Sequence, residues 1–455
     1  MKIYNFKFLI LLLSATIMIS CKKYLEEKSN KKLVIPTKLE DLQGLLDDAV
    51  KMNMATPGYM ETSGDDYFLM PSTYNSMVSG EVLIYGWGHY PYRFGNDWNE
   101  AYLVVYNSNV CLENIEKINR TGVNQIAWDN VKGSALFYRS YNFLLLAWQH
   151  AKAYDPGTSE KDLGIPLRLG TDFNVKSIRA SVKETYKLIL TDAKAAIPLL
   201  PEHPLHVMRP SKAAVYALIA RTYLSMGVAD SAYKYANLSL KIKNTLVDYN
   251  GDIDINGSLN AAIPFKKFNK ETIFYSEMNP SFALHMPSTA KIDTLLYSRY
   301  DTNDLRKIAY FKANSEYQQF KGSYTANANT LFSGIAVDEL YLTRAECLAR
   351  LNRVTEAMDD LNTLLKSRWK NSVTYTAMVA SDAKDALDKI LVERRKELLM
   401  RGLRWIDIKR LNKEDFNIIP TRSINKVFIQ LKPNDRFYAL PLPEDIVEQT
   451  GIQQN

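Results

Sequence analysis

The chain has 455 residues, of which 46% are hydrophobic, and this length and composition suffice for a sizeable buried core. Its net charge of +7 is a mild surplus for such a length, and no basic run with interleaved aromatic residues occurs, so nucleic-acid binding is not expected. Aromatic residues make up 11%, which fits a protein that presents flat rings to a ligand, although a single ring more often packs between helices.

The N-terminus carries a pattern that is typical of secretion and lipidation. Lys2 and Lys7 precede the apolar stretch 8–19, which is too short to span a bilayer as a helix, and Ser20 then precedes Cys21. This arrangement resembles the lipobox of bacterial lipoproteins, which implies cleavage before Cys21 and acylation of that cysteine. The alternative is an ordinary signal peptide with an incidental cysteine.

We therefore expect residues 1–20 to be a signal peptide and residues 21–36 to be a lipidated cysteine followed by a charged, polar tether. The acyl chains on Cys21 would be the membrane anchor, because no other run approaches 18 apolar residues.

From Lys38 onward the apolar spacing is mostly helical, beginning with leucines three and four residues apart. Two regions break this rhythm with clustered Gly, Pro, Asn and Asp, namely about 55–97 and about 245–335, and the second contains short apolar runs typical of strands. The pattern predicts a single domain over 37–455, mainly α-helical, with two loop-rich insertions that contain a few short strands. Binding surfaces usually lie on such insertions.

Three helix pairs are predicted, at about 98–153, 211–243 and 337–370. The second and third have the spacing of tetratricopeptide hairpins, in which small residues allow two antiparallel helices to approach closely. Ala220 and Ala232 occupy those positions in one pair, and Ala345 and Ala357 occupy them in the other.

The stretch 390–411 is dense in paired charges, which invites a catalytic interpretation. Glu393 and Glu397 lie one turn apart on a predicted helix and Arg394 lies between them, so local ion pairs are favoured. A structural latch is the better account, because nothing marks two carboxylates that face each other across a cleft. Nucleophile-elbow, phosphate-loop and zinc-protease motifs are also missing from the sequence, and no enzyme is predicted.

The candidate ligand-binding residues lie in and beside the first insertion. They are Asp65, Asp66, Tyr85, Trp87, Tyr90, Tyr92, Arg93 and Trp98. Aromatic rings stack on the apolar C–H faces of sugars, while Asp and Arg side chains bind the hydroxyl groups, so this mixture suits a glycan. The alternative is that the rings cover the helical core. Packing is favoured for Trp98 at a helix start, whereas Trp87 between two glycines suits either role.

Histidines and cysteines give no metal-binding pattern. The five histidines are scattered, and prolines interrupt any helix that would carry His203 and His206. Cys111 and Cys347 lie in helical apolar patterns, so buried free thiols are favoured over a disulfide. Neither a metal site nor a cofactor is predicted.

Several segments together resemble the SusD/RagB family, and they span nearly the whole chain after the signal peptide. They are KGSALFYRSYNFLLLAW (132–148), TYKLILTDAKAAIPLLPE (185–202), RPSKAAVYALIARTYLSMG (209–227), Asp304-Leu305-Arg306, ELYLTRAECLARLN (339–352), ILVERRKELLMRGLRWIDIKRL (390–411) and YALPLPEDIVEQTGIQQN (438–455). Ser134, Ser140 and Arg401 depart from the family pattern.

The resemblance implies a helical, lipid-anchored protein of the outer membrane that faces the cell exterior. Such a protein would capture glycans or oligosaccharides and deliver them to a SusC-like TonB-dependent barrel transporter. Two alternatives stay open: an oligopeptide-binding, RagB-like capture protein, and a helical-repeat scaffold that only docks other proteins.

Overall fold

A computed structural model describes residues 36–77, 80–93, 95–279 and 284–455. The predicted signal peptide, Cys21 and the predicted tether up to residue 35 lie outside the described residues. Within the described ranges, no helix combines the length and the apolar character that crossing a membrane requires.

The described chain is mainly α-helical, which confirms the predicted fold class. The helices are α1 (Leu39–Leu46), α2 (Ala49–Met52), α3 (Tyr59–Ser63), α4 (Pro71–Ser76), α5 (Val82–Tyr85), α6 (Asp97–Ile115), α7 (Gln125–His150), α8 (Val182–Ala196), α9 (Lys212–Ser225), α10 (Ala229–Ile242), α11 (Thr294–Ser298), α12 (Arg306–Tyr310), α13 (Val337–Arg350), α14 (Val354–Arg368), α15 (Ala383–Glu397), α16 (Arg404–Asn412) and α17 (Glu444–Thr450).

Short strands join in antiparallel pairs between the helices. The strands are β1 (Tyr67–Phe68), β2 (Leu163–Pro166), β3 (Arg179–Ser181), β4 (Thr272–Phe274), β5 (Lys291–Ile292), β6 (Phe311–Asn314), β7 (Tyr317–Phe320), β8 (Ile335–Ala336), β9 (Thr421–Ile424) and β10 (Val427–Gln430). They pair as β1 with β5, β2 with β3, β4 with β8, β6 with β7, and β9 with β10. The β1–β5 pair joins the first insertion to the second.

Helix pairs occupy the three ranges in which hairpins were predicted. Helix α6 packs along α7, α9 along α10, and α13 along α14, while α10 also packs on α13 and α13 on α15. Helix α8 packs on both α7 and α9 and so connects the first pair to the second, and the helices form a continuous layer.

Helix α7 is buried along most of its length, between α6 and α8. Every residue from Gly133 to His150 is buried, so the helix has neighbours on all sides. At Gly133 a Cβ atom would lie 2.8 Å from the Leu200 side chain, and only glycine allows that approach. Ser140 is similarly small, and its hydroxyl donates a 2.8 Å hydrogen bond to the carbonyl of Ile189 on α8. The side chain of Arg139 forms a 2.7 Å ion pair with Asp192 on α8.

The apolar side chains form two large cores. The helical core lies between the helix pairs, and the insertion core is built from the two irregular regions together with short segments such as Leu399–Met400. The insertion core is rich in rings, among them Tyr85, Tyr249, Phe265 and Tyr275. Much of the high aromatic content therefore packs within the insertions, which have a folded interior of their own.

Buried ion pairs hold the charged block of helix α15 against its surroundings. Arg306 is 1% exposed, and its guanidinium contacts Asp304 at 2.6 Å, Glu393 at 2.6 Å and Glu397 at 3.0 Å. Glu397 also accepts from Arg368 at 2.8 Å, and Arg368 in turn contacts Glu271 at 2.8 Å. Burial alone would raise the pKa of Glu397, but Arg368 and Arg306 outweigh that effect and lower it.

A second buried cluster joins α13, α15 and α16. Arg410 contacts both Glu346 and Asp407, and Asp407 also accepts from Arg394 at 2.8 Å. Burial would raise the pKa of Glu346, but the guanidinium groups of Arg410 and Arg350 hold it well below its usual range. These contacts fit the interpretation of the 390–411 block as a structural latch.

Cys111 and Cys347 are free and buried, as expected. Burial raises the pKa of each thiol to about 12, so both stay protonated at neutral pH.

We predict that Arg306→Met is strongly destabilising. The substitution removes a buried cation that contacts Asp304, Glu393 and Glu397, and among the described residues these carboxylates keep only their ion pairs with Lys396 and Arg368. Breaking such a buried pair costs about 3–5 kcal/mol. Urea unfolding followed by circular dichroism would measure the loss. Lys384→Met is the control, because the Lys384–Asp388 pair lies at the surface. Equal unfolding midpoints for the two variants would contradict the structural role of Arg306.

Candidate functional site

Trp87 lies on a sharp turn that follows helix α5. Its backbone adopts a left-handed conformation with φ of 55°, which non-glycine residues rarely take. The turn is closed by hydrogen bonds from the amide of Trp87 to the carbonyl of Ile84 at 3.1 Å and from Gly88 to Leu83 at 2.6 Å. Strained backbone of this kind concentrates at functional sites, where the surrounding structure enforces it.

The indole of Trp87 is half-buried and held in a fixed orientation. Its Nε1–H donates a 3.0 Å hydrogen bond to the carbonyl of Ser63. The guanidinium of Arg422, on β9, lies 4.8 Å from the centre of the indole and 3.6 Å from the ring centre of Tyr85. We call Tyr85, Trp87 and Arg422 the indole platform.

Arg422 is 3% exposed, and its contacts explain how a buried cation is accommodated. Its Nη2 donates to the carbonyls of Thr62 and Gly64, whereas its Nε and Nη1 have no hydrogen-bond partner among the residues that the structure describes. Those two nitrogens belong to a guanidinium that lies against the rings of Tyr85 and Trp87, so the negative potential of the ring faces offsets the charge. The guanidinium of Arg422 thus supports the rings of Tyr85 and Trp87 from their buried side.

Neutral polar groups lie beside the platform. The β9–β10 hairpin approaches the turn at Gly86, where a Cβ atom would lie 3.5 Å from Ile424. Next to Ile424, the exposed amide of Asn425 exchanges two hydrogen bonds with the amide of Asn75, at 3.1 and 2.9 Å. A primary amide offers two donors and two acceptor lone pairs, so each retains capacity for a ligand hydroxyl.

Asp65 and Asp66, within the first insertion, form ion pairs with two arginines. The Asp65 carboxylate accepts from Arg404 at 2.6 and 3.0 Å, and Asp66 accepts from Arg395 at 2.9 Å. Burial would raise the pKa of Asp65, but Arg404 and Arg395 hold it well below its usual range. These pairs fasten the insertion to α15 and α16.

Tyr90, Tyr92 and Arg93 lie against the C-terminal segment. The rings of Tyr90 and Tyr92 stack at 5.4 Å, and the Tyr92 hydroxyl donates a 2.6 Å hydrogen bond to the carbonyl of Pro441. The guanidinium of Arg93 is exposed and forms a bidentate pair with Glu448 at 2.9 and 3.0 Å. Tyr90 also packs over Gly80, where a Cβ atom would collide with its ring.

Trp98 is 4% exposed at the start of helix α6. Its ring packs 4.7 Å from that of Tyr102 and 5.1 Å from that of His150. The structure thus brings Tyr85 and Trp87 together on the platform and holds Asp65 and Asp66 in ion pairs with α15 and α16. Tyr92 and Arg93 contact the C-terminal region, Tyr90 stacks on Tyr92, and Trp98 packs on Tyr102 and His150.

Sequence reasoning missed three residues of this site, namely Arg422, Asn75 and Asn425. The hairpin itself has a readable signal, because Asn425 and Lys426 separate two short runs and both adopt positive φ, as a two-residue hairpin turn requires. That the hairpin would pack against a turn more than three hundred residues earlier is a tertiary contact with no local signature.

Asp97 connects the first insertion to helix α6. Its Oδ2 accepts hydrogen bonds from the amides of Gly58 at 2.7 Å and Tyr59 at 2.8 Å. Burial raises the pKa of Asp97 to about 7. In the described ranges, three or more His, Cys, Asp or Glu side chains nowhere converge as a metal site would need.

Two family models match this chain. Residues 23–224 match the SusD-like model described as starch-binding and associating with outer membrane, and residues 269–450 match the model of the SusD family, SusD/RagB. The chain belongs to the SusD/RagB family.

Solved structures share this fold at low sequence identity. A putative sugar binding protein from Bacteroides vulgatus is 18% identical with a TM-score of 0.76, and the match covers 93% of this chain and 99% of that one. A SusD superfamily protein from Bacteroides thetaiotaomicron is 19% identical with a TM-score of 0.73, covering 92% and 99%. A SusD superfamily protein from Bacteroides fragilis is 20% identical with a TM-score of 0.72, also covering 92% and 99%.

A curated relative matches over a short stretch. SusD-like protein P38 from Formosa agariphila is 42% identical over 79 residues, which is 16% of this chain and 16% of that protein. The matched stretch thus spans about a sixth of the length of that relative.

We predict that Asp97→Asn removes a pH dependence of stability. The folded pKa of about 7 lies above the ordinary value of 3.8, so the folded protein binds the proton more tightly than the unfolded chain does. Between about pH 4 and pH 7 the wild type should therefore lose stability relative to the Asn variant as pH rises. Urea titrations of both proteins at pH 5 and pH 8 would measure this change. A stability difference that is the same at both pH values would contradict it.

Proposed function

We propose that this protein captures glycans and that the indole platform is where it contacts them. The observation that carries the proposal is the half-buried indole of Trp87, held on a strained turn and backed by the Arg422 guanidinium. A fixed ring costs little entropy when a ligand stacks on it, and sugars present apolar C–H faces that suit such a surface.

The chemistry around the platform favours an uncharged, hydroxyl-rich ligand. The amides of Asn75 and Asn425 are exposed, and the nearest cation, Arg422, is buried beneath the rings. Among the residues predicted from sequence, we retain Trp87 as the ligand contact and assign Tyr85, Asp65 and Asp66 to its support. Tyr90, Tyr92, Arg93 and Trp98 would position the segment that follows the platform.

Similar proteins support a carbohydrate ligand. Two solved structures with the same fold are those of a putative sugar binding protein and of a SusD-like carbohydrate binding protein, both from Bacteroides vulgatus. One matching family model is described as starch-binding. These descriptions concern those proteins and that family, and they make glycan the first ligand class to test.

An oligopeptide is the second candidate ligand, and one structural feature favours it. An extended peptide binds by adding a strand to an open sheet edge. The β9–β10 hairpin beside the platform forms a sheet of two strands among the described residues, so each strand has an outer edge. Peptides therefore belong in the same binding experiment.

Location and delivery are part of the proposal. We place the protein on the outer membrane, anchored through acyl chains on Cys21 and facing the cell exterior, where it passes its ligand to a SusC-like TonB-dependent transporter. The description of the matching family model as associating with outer membrane supports this placement. The apolar stretch 8–19 before Cys21 supports export and lipidation.

We predict that Trp87→Ala weakens glycan binding at least about tenfold, because the stacking surface is lost. Isothermal titration of the purified full chain in detergent with maltoheptaose, cellohexaose, xylohexaose and a casein peptide digest would measure the effect. Trp87→Phe is the matched control, since it keeps a ring and should keep most of the affinity.

Tyr216→Ala controls for the loss of a partly exposed ring elsewhere, on helix α9. Binding of a glycan that Trp87→Ala leaves unchanged would exclude the platform as the contact. Binding of peptides and of no glycan would replace the proposed ligand class.

A second prediction concerns the anchor. In a Gram-negative host that acylates lipoproteins, the wild-type chain should incorporate labelled palmitate and sediment with outer membranes. Cys21→Ser should take up no label and lose the membrane association, because acylation requires the thiol. Cys111→Ser is the control and should be labelled like the wild type. Label on the Cys21→Ser variant would refute the assignment.

A further inference from the structure

A cleft of about 270 Å³ opens on the outer side of helix α6, away from the residues of the indole platform. It lies between the first three turns of α6, the segment that follows β2, and helix α17. Its lining includes four aromatic residues, and they are Trp98, Tyr102, Tyr106 and Phe173.

The four aromatic rings that line the cleft lie in two pairs. Tyr106 and Phe173 stack with their centres 5.2 Å apart at an angle of 23°, and Trp98 and Tyr102 lie 4.7 Å apart. Phe173 is 79% exposed although it is a large apolar residue. Exposed rings that border a cleft are a recurrent feature of ligand sites.

The segment that carries Phe173 is held in place by side-chain hydrogen bonds. The guanidinium of Arg168 donates to the carbonyls of Asp172 and Val175. From helix α6, the amide of Asn109 donates to the carbonyl of Arg168 at 2.9 Å, and the Glu113 carboxylate accepts from the backbone and hydroxyl of Thr171 at 2.8 and 2.6 Å. The exposed ring is therefore preorganised, and binding would cost little ordering entropy.

Most of the polar side chains that line the cleft are neutral. Among the described residues that line it, Arg168 is the one charged side chain, and its guanidinium is already engaged with the carbonyls of its own segment. Asn99, Ser177 and Thr450 contribute an amide and hydroxyls to the lining. A charged ligand would find no partner in this lining, whereas a sugar ring would find stacking faces and neutral hydrogen-bond groups.

We propose that this cleft is a second carbohydrate site, which takes one uncharged pyranose ring beside the stacked pair of Phe173 and Tyr106. The inference rests on the proposed glycan-binding function, because it assigns a further contact to the same class of ligand. Two separated sites on one protein would increase the retention of a long glycan that reaches both, without any change in either contact.

The test compares the two sites on the full-length protein in detergent. Saturation-transfer NMR would follow the binding of maltoheptaose, cellohexaose and xylohexaose to the wild type, Trp87→Ala, Phe173→Ala and the double variant. We expect each single variant to retain part of the signal, Phe173→Ala to weaken binding about three- to tenfold, and the double variant to give none. Phe173→Ala should fold normally, because the ring is mostly exposed.

Leu205→Ala is the matched control, since Leu205 is 90% exposed and does not line the cleft. Phe173→Trp should restore binding that Phe173→Ala loses. The second site is overturned if Phe173→Ala leaves the NMR signal unchanged, or if Trp87→Ala alone abolishes it. In both cases the proposed function stands. If Phe173→Ala abolishes the NMR signal and Trp87→Ala does not reduce it, the result supports the cleft and excludes the platform as the binding site. No signal from the wild-type protein with any of the glycans would overturn both.

Discussion

Buried ion pairs around helix α15 connect parts of this molecule that are far apart in the chain. Arg306 and Arg368 hold four carboxylates in one buried cluster from which water is nearly excluded. The four are Glu271, Asp304, Glu393 and Glu397. Because an unpaired buried charge is so unfavourable, each segment that contributes a residue must take one position for the others to be satisfied. The cluster therefore fixes where the second insertion meets the helical layer.

The same helix positions the first insertion and, through it, the candidate site. Arg395 at the outer side of α15 and Arg404 at the start of α16 hold Asp66 and Asp65, which directly follow α3 and its Ser63. Ser63 accepts the hydrogen bond that orients the indole of Trp87. Arg401, a departure from the family pattern, contacts Asp338 at 2.7 Å and so extends this set of ion pairs. The charged block thus positions the turn that carries Trp87 through these ion pairs.

Two aromatic surfaces with different environments result from this arrangement. The indole platform is backed by a buried cation and lies on a strained turn, whereas the cleft beside α6 has a ring on a segment fixed by Arg168, Asn109 and Glu113. Most other rings fill the insertion core or the helical core. The aromatic-rich composition therefore reflects ring packing in the helical core and in the insertion core, and only the exposed rings on rigid segments are candidates for binding.

The sequence by itself determined the helical class, the positions of the three helix pairs and the two irregular regions, because these follow from local apolar spacing and from glycine and proline. It also marked Trp87, whose glycine neighbours are a local signal. Only the tertiary structure decided that Asp65 and Asp66 pair with Arg404 and Arg395, and that Tyr85 and Tyr92 are buried. It also decided that Arg422 lies against Trp87 and that Phe173 lines the cleft beside α6. Those outcomes depend on contacts between residues tens to hundreds of positions apart, and no pattern within one segment encodes which distant segment will cover it.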